Sequence, residues 1–309
     1  MKVGFIGLGT MGRGIAANMQ KAGHALVVHD LTRQAASPHL ANGATWAENP
    51  RAVAEACDVV FTSLPTPADV EAVGFGENGL AKGLRKGAAW FDLTTNAVDV
   101  VRRLHAELAN QGVEFLDAPV SGGPAGATSG KMAILVGGDK ATFDRYKAVL
   151  DAASDQALYV GPIGAGSIAK LTHNMASTAI NAIMAEVLTM GVKAGLEPLA
   201  LWSSIRQCAA GRMRSFDNVS NRFLVGKLDP PNFALRLVHK DISLATQLGR
   251  EVGVPMRLCN LVLADITEAL NRGWGGRDSQ SFLLLQQERA GVPPFALPAD
   301  KIKEIRDGG

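Results

Sequence analysis

The stretch FIGLGTMGRGIAANM, residues 5 to 19, constrains the fold more than any other part of the chain. Gly7, Gly9 and Gly12 stand at GxGxxG spacing between a β-branched apolar run and a helix-like one. In that setting Gly7 permits a tight turn, Gly9 lets the backbone approach a pyrophosphate, and Gly12 allows close helix packing. The helix N-terminus attracts the phosphate charge. The hexapeptide alone is a weak signal, but its strand-turn-helix context reads Gly7, Leu8, Gly9, Thr10, Met11 and Gly12 as a cofactor loop. The next strand ends in Asp30, 18 residues after Gly12, where a carboxylate can accept bonds from an adenosine ribose. A carboxylate there repels the 2′-phosphate of NADP, so NAD is expected over NADP, with Arg33 placed to weaken the preference.

Through residue 162, short apolar runs alternate with helix-like segments: KVGFIGL, ALVVHD, DVVFTSL, AAWFDL, VEFLDAPV, MAILVGG and ALYVG. Strands separated by helices imply a doubly wound α/β domain with a largely parallel sheet. From Ile168 onward the segments become long and helical, which predicts an all-α second domain. Its first helix, from about Gly166 to Ala194, would be about 40 Å long at ~1.5 Å per residue and could form the spine between domains. The boundaries read as 1–162, 163–292 and a proline- and charge-rich tail, 293–309, of peripheral character. A length of 309 residues suits two domains.

With 47% hydrophobic and 19% charged residues and a formal charge of +2, neither disorder nor a nucleic-acid-binding surface is indicated. No apolar run approaches the ~20 residues of a membrane span, and no basic-then-apolar export signal precedes KVGFIGLG, so no membrane partner and a cytoplasmic location are expected. Cys57, Cys208 and Cys259 lack CxxC spacing and read as buried thiols. The histidines show neither HxxxH nor HExxH spacing, and His173 reads as a surface or packing residue, so no metal is expected.

Three further stretches carry candidate chemistry. SLPTP (63 to 67) and DLTTN (92 to 96) fall at the carboxyl ends of strands, where ligands of open α/β sheets bind. There Leu64 and the rigid turn at Pro65 are candidate cofactor contacts, Thr95 offers a hydroxyl, and plain strand-end turns are the alternative. DAPVSGGPAGATSG (117 to 130) supplies the Ser121 hydroxyl and the unshielded N–H groups of Gly122 and Gly123, which can wrap a carboxylate; a simple turn is the competing reading. In GAGSIAKLTHN (164 to 174), Lys170 and Asn174 share one helix face, in an otherwise uncharged run of small residues.

Four ordered motifs, GLGTMGRG, DAPVSGG, GAGSIAKLTHN and FALRLVHKDISLA, resemble those of the β-hydroxyacid dehydrogenase family, which includes 3-hydroxyisobutyrate dehydrogenase and tartronate semialdehyde reductase. The resemblance spans roughly residues 2 to 292. It implies a Rossmann-like domain, a helical domain that supports a homodimer or homotetramer, and reversible oxidation of a hydroxyl β to a carboxylate of a small substrate. It further implies that Lys170 is catalytic, that Asn174 and the Ser121, Gly122, Gly123 trio hold the substrate, and that Lys240 reaches the cofactor end of the cleft. A surface ion pair with Asp241 is the other reading of Lys240. Leu93 and Asn96 stand where relatives often carry serine and isoleucine.

A lysine can serve as base in oxidation and acid in reduction if burial and neighbouring cations bring its pKa towards the working pH. The substrate readings are a 3-hydroxyisobutyrate dehydrogenase-like activity, a tartronate semialdehyde reductase-like one or an L-threonate dehydrogenase-like one. An imine or other carbonyl reductase is opposed by the combination of Lys170 with the SGG loop. A noncatalytic NAD-binding regulator would have no need of the lysine and asparagine pair, and the chain is short for the helical domain of 6-phosphogluconate dehydrogenase. Arg212 and Arg214, in AAGRMRS (209 to 215), are placed at the expected cleft entrance or as ordinary surface arginines.

Overall fold

Runs such as KVGFI and VVFT carry apolar residues at successive positions, which suits strands covered on both faces. In the computed structural model they form one sheet of nine strands: β1 (Lys2–Ile6), β2 (Ala25–His29), β3 (Thr45–Trp46), β4 (Val59–Thr62), β5 (Ala89–Asp92), β6 (Glu114–Asp117), β7 (Val120–Ser121), β8 (Ala133–Gly137) and β9 (Gln156–Gly161). The order is β3-β2-β1-β4-β5-β6-β8-β7, with β9 also paired to β8. All pairings from β3 through β6 are parallel, β8 runs antiparallel to β6 and β7, and β8 with β9 is parallel. The seven runs read from the sequence are all strands. β3 and β7 are additional, and at two residues each they are too short to carry a period.

The connecting helices are α1 (Gly12–Lys21), α2 (Ser37–Ala41), α3 (Pro50–Ala56), α4 (Pro67–Phe75), α5 (Val98–Ala109), α6 (Gly123–Ser129) and α7 (Lys140–Ala153). Alternate residues feed two cores. Phe5, Phe61 and Phe91 stack across β1, β4 and β5 on one face, with ring centroids 6.5 and 5.1 Å apart. Ile6, Val60, Trp90 and Phe115 fill the other. Each such fully buried side chain contributes roughly 1.5–3 kcal/mol.

The structure describes residues 1–193, 195–208, 217, 219–251 and 256–307. They divide into two units, Met1–Leu171 and Thr172–Gly309. α8 (Ala165–Lys193) runs from the first into the second, and its 29 residues span about 43 Å at ~1.5 Å each. The second unit continues with α9 (Pro198–Gln207), α10 (Leu235–Glu251), α11 (Arg257–Asn271), α12 (Leu284–Ala290) and α13 (Ala299–Asp307). α10 buries Leu235, Val238, Ile242, Ala245 and Gly249 at three- and four-residue spacing, the stripe of an amphipathic helix. Asp241 is buried among them.

Two expectations are corrected. The predicted tail, 293–309, is anchored over its described residues, 293–307: Phe295 packs edge-on against Phe223, Leu297 N–H donates to Leu224 O at 2.8 Å, and Ile302 on α13 is buried. Apolar residues among the prolines and charges pull the segment down. Of the cysteines only Cys57 is buried, its thiol pushed up to about 11 by burial, while Cys208, at the C-cap of α9, is exposed and Cys259, on α11, is half-buried. Among the described residues no helix is long and apolar enough to cross a membrane.

Candidate active site

Ile6, Thr62, Asp92 and Asp117 are successive register partners across β1, β4, β5 and β6, so the loops that follow them open along one edge of the sheet. Gly7 has φ +91°, and a Cβ there would lie 2.3 Å from Ser63 O, which brings the glycine loop against the SLPTP loop. A Cβ on Gly12 would sit 1.8 Å from Gly7 O. Gly9 differs: it is exposed, and a Cβ on it would meet nothing within 4 Å, leaving the loop open where a pyrophosphate is expected. Thr10 is exposed, Met11 half-buried, and α1 begins without a side-chain cap or an acidic residue in its first turn. An anion at that end therefore meets backbone N–H groups and the positive end of the dipole. These residues fit a dinucleotide.

Asp30 holds the loop from the β2 side. Its Oδ2 accepts from Leu8 N–H at 2.7 Å and its Oδ1 from Thr32 N–H at 2.8 Å. A carboxylate has about four acceptor positions, so ribose hydroxyls could still be received. Arg33 is engaged with Glu48, at 3.4 Å, and lies over the Trp46 ring, 5.4 Å from its centroid.

The SLPTP and DLTTN loops are tied together by a carboxylate the sequence did not single out. Asp92 is fully buried and accepts from Thr62 Oγ1 (2.8 Å), Thr94 N–H (3.2 Å) and Asn96 Nδ2 (3.0 Å). Thr94 Oγ1 in turn accepts from Leu64 N–H at 3.0 Å. Burial raises the Asp92 carboxyl above its ordinary range, while the bonds from Asn96, Thr94 and Thr62 act in the other direction. Pro65 is exposed beside this network and Thr95 half-buried within it. Consecutive polar residues closing an apolar strand were the signal available.

Ser121 closes β7, and Gly122 and Gly123 follow with φ of +148° and +61°, values that favour glycine. Gly123 is exposed, and a Cβ on it would meet nothing within 4 Å. The helix this turn starts, α6, lies against α1. A Cβ on Gly14 would reach 2.7 Å from Ala127 O, the oxygen that accepts from Asn18 Nδ2 at 2.9 Å. The glycine after GxGxxG thus joins the cofactor loop's helix to that of the SGG turn.

α8 is anchored by Asp117. Its Oδ1 accepts from Gly164 N–H at 2.8 Å and its Oδ2 from Ser167 N–H at 2.6 Å. Gly166 lets the helix come down on the strand ends, since a Cβ there would lie 2.3 Å from Leu135 O and 2.6 Å from Asp117 O. Burial pushes the Asp117 carboxyl up, and the N–H groups of Ser167 and Gly164 oppose it. Lys170, three residues beyond Ser167, is half-buried.

In the helical unit two predicted residues meet on one carboxylate. Asn174 Nδ2 donates to Asp241 Oδ2 at 2.7 Å, and Lys240 Nζ lies 3.0 Å from Asp241 Oδ1 as an ion pair. Asp241 is buried, so this is no surface pair. Asn174 and Asp241 also line a cavity of about 160 Å³. Arg212 and Arg214 lie outside the described residues.

A Gly-rich loop at the strand ends of a parallel sheet, followed by a helical unit, defines an NAD(P)-binding oxidoreductase scaffold. Residues 2–161 match the family model described as the NAD binding domain of 6-phosphogluconate dehydrogenase. Residues 164–285 match the one described as NAD-binding of NADP-dependent 3-hydroxyisobutyrate dehydrogenase. The chain belongs to the β-hydroxyacid dehydrogenase family, whose members are oxidoreductases acting on hydroxyacids. It is 32% identical over 292 residues to 2-(hydroxymethyl)glutarate dehydrogenase of Eubacterium barkeri, covering 94% of this chain and 97% of the relative. It is 34% identical over 256 residues to 2-hydroxy-3-oxopropionate reductase of Escherichia coli, covering 82% and 88%. The structure of Mycobacterium tuberculosis 3-hydroxyisobutyrate dehydrogenase with L-serine aligns with a TM-score of 0.82 at 28% identity, covering 92% of this chain and 98% of the other.

Proposed function

We propose that the protein is an NAD-dependent β-hydroxyacid dehydrogenase in which Lys170 exchanges the proton at the reacting oxygen. The observation that carries this reading is the placement of Lys170: half-buried, in the second turn of a helix whose first turn is held by Asp117, four residues before Ser121. A bound nicotinamide dinucleotide supplies the hydride acceptor or donor. The chain's own residues do the rest. Gly7 to Gly12 take the pyrophosphate, with Leu64, Pro65, Thr95 and Lys240 as further cofactor contacts. The Ser121 hydroxyl and the N–H groups of Gly122 and Gly123 bind the substrate carboxylate. Asn174, held by Asp241, orients the β-hydroxyl, and Lys170 Nζ takes its proton in oxidation or returns one in reduction.

NAD is favoured over NADP because Asp30 stands at the end of β2, and Arg33, the nearby cation, is directed onto Glu48 and Trp46. Among substrates, 3-hydroxyisobutyrate is the reference. A hydroxylated relative of the tartronate semialdehyde or L-threonate kind is the second reading, favoured by the polar cavity beside Asn174.

The test is NADH formation with 3-hydroxyisobutyrate, D-glycerate and L-threonate, by wild type and Lys170→Arg. A guanidinium cannot act as base near neutrality, so the variant should lose ~10²- to 10⁴-fold in kcat while its NAD dissociation constant stays close to wild type. Near wild-type turnover by the variant would exclude proton transfer by Lys170.

A further inference from the structure

α6 begins at the SGG turn and has little of its own to hold it in place. It is only seven residues long, and isolated helices shorter than about 12 residues are marginal in water. Gly123 and Gly126 within it weaken it further. No side chain caps its start, and the Thr128 and Ser129 hydroxyls donate back to its own Pro124 O and Ala125 O, at 2.9 and 2.8 Å. Gly122, with φ +148°, and Gly130, with φ +73°, flank it at either end. α6 therefore takes its position from what it packs on.

That support comes from α1, the helix of the cofactor loop. A Cβ on Gly14 would lie 2.7 Å from Ala127 O, 2.8 Å from Ala127 C and 3.0 Å from Thr128 N, so the two backbones touch with no side chain between them. Four residues on, and so on the same face of α1, Asn18 Nδ2 donates to Ala127 O at 2.9 Å. Ala127 is among the last four residues of α6, whose carbonyls have no partner within their own helix. The Asn18 amide supplies one from outside. A Cβ on Gly130 would come within 3.5 Å of the same nitrogen, so the amide sits against the end of α6. Ala127 is fully buried, and every residue of this contact lies within the unit Met1–Leu171.

We infer that Asn18 is a positioning residue for substrate binding: through Ala127 O it seats α6 on α1, and so fixes the Ser121, Gly122, Gly123 turn relative to the dinucleotide loop that opens α1. The inference rests on the β-hydroxyacid dehydrogenase reading, in which that turn receives the substrate carboxylate. Asn18 has no part in proton or hydride transfer. Gly14 serves the same contact by the absence of a side chain. A carboxylate held by one hydroxyl and two backbone N–H groups depends on their common geometry, and a turn free to shift with α6 binds it less well.

The experiment measures KM, kcat and the NAD dissociation constant in wild type, Asn18→Ala and Gly14→Ala. The substrate is whichever of 3-hydroxyisobutyrate, D-glycerate and L-threonate wild type turns over fastest. Asn18→Ala should raise KM for the acid by about 2- to 12-fold, the value of one neutral hydrogen bond. The change in kcat should be smaller, because the carboxylate is held alike in ground and transition states, and the NAD dissociation constant should be unchanged. Alanine is the stronger helix former, so α1 is kept. Gly14→Ala should give the same split, through a methyl driven onto Ala127. In a Ser121→Ala background, where the turn's hydroxyl is already lost, adding Asn18→Ala should raise KM by less than it does in wild type. An unaltered KM in both variants, equal losses of acid and NAD affinity, or an Asn18→Ala effect undiminished in the Ser121→Ala background would overturn the inference and leave the dehydrogenase reading standing. Absence of turnover of all three acids by wild type would remove that reading, and the inference with it.

Discussion

Asp30 accepts from Leu8 N–H within the glycine loop, and under the proposed function its charge also faces the adenosine ribose. Coulomb repulsion is ~1 kcal/mol per pair of unit charges at ~4 Å in water, and a phosphate near −2 roughly doubles it. Asp30→Ala should therefore shift the kcat/KM ratio of NAD to NADP by about tenfold or more towards NADP, with some loss for both cofactors as Leu8 N–H is released. An unchanged ratio would restrict Asp30 to holding the loop. Asp92 makes a pH prediction. Burial raises its folded carboxyl above the unfolded value of ~3.9. Its contribution to stability is thus fully present below that value and is lost as the pH rises through the folded one. Asp92→Asn should gain stability relative to wild type as the pH climbs above about 4, whatever its offset at the acid end. Urea midpoints of both proteins across that range supply the check, and a flat difference would refute the burial account.

α8 acts as an element through its first turn. Asp117→Ala leaves the buried N–H groups of Gly164 and Ser167 without their acceptor, at about 1–3 kcal/mol each. The expected loss is roughly 2–5 kcal/mol in urea unfolding. Asp117→Asn keeps one acceptor oxygen and should restore part of it. Because the same turn sets the base of Lys170's helix, kcat should fall further than NAD affinity in both variants, whereas equal losses would assign Asp117 to folding alone. Gly166→Ala drives a methyl onto Leu135 O and Asp117 O, and should cost about 1–3 kcal/mol by forcing the helix off the strand ends.

At the scale of the whole molecule, the backbone ladder of α8 continues without a break from one unit into the other across Leu171. Unfolding either unit frays the helix that the other uses, so a single cooperative transition is expected in calorimetry. NAD at about 100 times its dissociation constant should stabilise that transition by ~2.7 kcal/mol. Two separate transitions, only one of them moved by NAD, would show that the units unfold independently. The homodimer or homotetramer expected for the active protein is tested by sedimentation velocity, for which a monomer at assay concentration is the contrary result.

The sequence by itself determined what depends on neighbours along the chain. Short apolar runs alternating with helix-like segments marked seven strands, and a long stretch without proline marked the long helix. The glycine spacing marked a turn that only residues without Cβ can make, and Asp30 was legible because a fixed offset places the end of β2 beside that turn. Lys170 with Asn174, and Ser121 with its glycines, were legible for the same local reason, four-residue helix spacing in one case and consecutive positions in the other. Tertiary structure alone decided where the carboxylates point. Asp92 receives Thr62, Asp117 receives Gly164 and Ser167, and Asp241 receives Asn174, partners 30, 47, 50 and 67 positions away. It also turned Ser177 and Asn181 from ordinary helix residues into the wall of a cavity. Such pairings follow from strand register and from which helix face is covered, and a hydrogen bond forms only when both are set. No window of sequence contains that geometry, because it arises when the sheet brings distant strand ends into one row and the helices close over them.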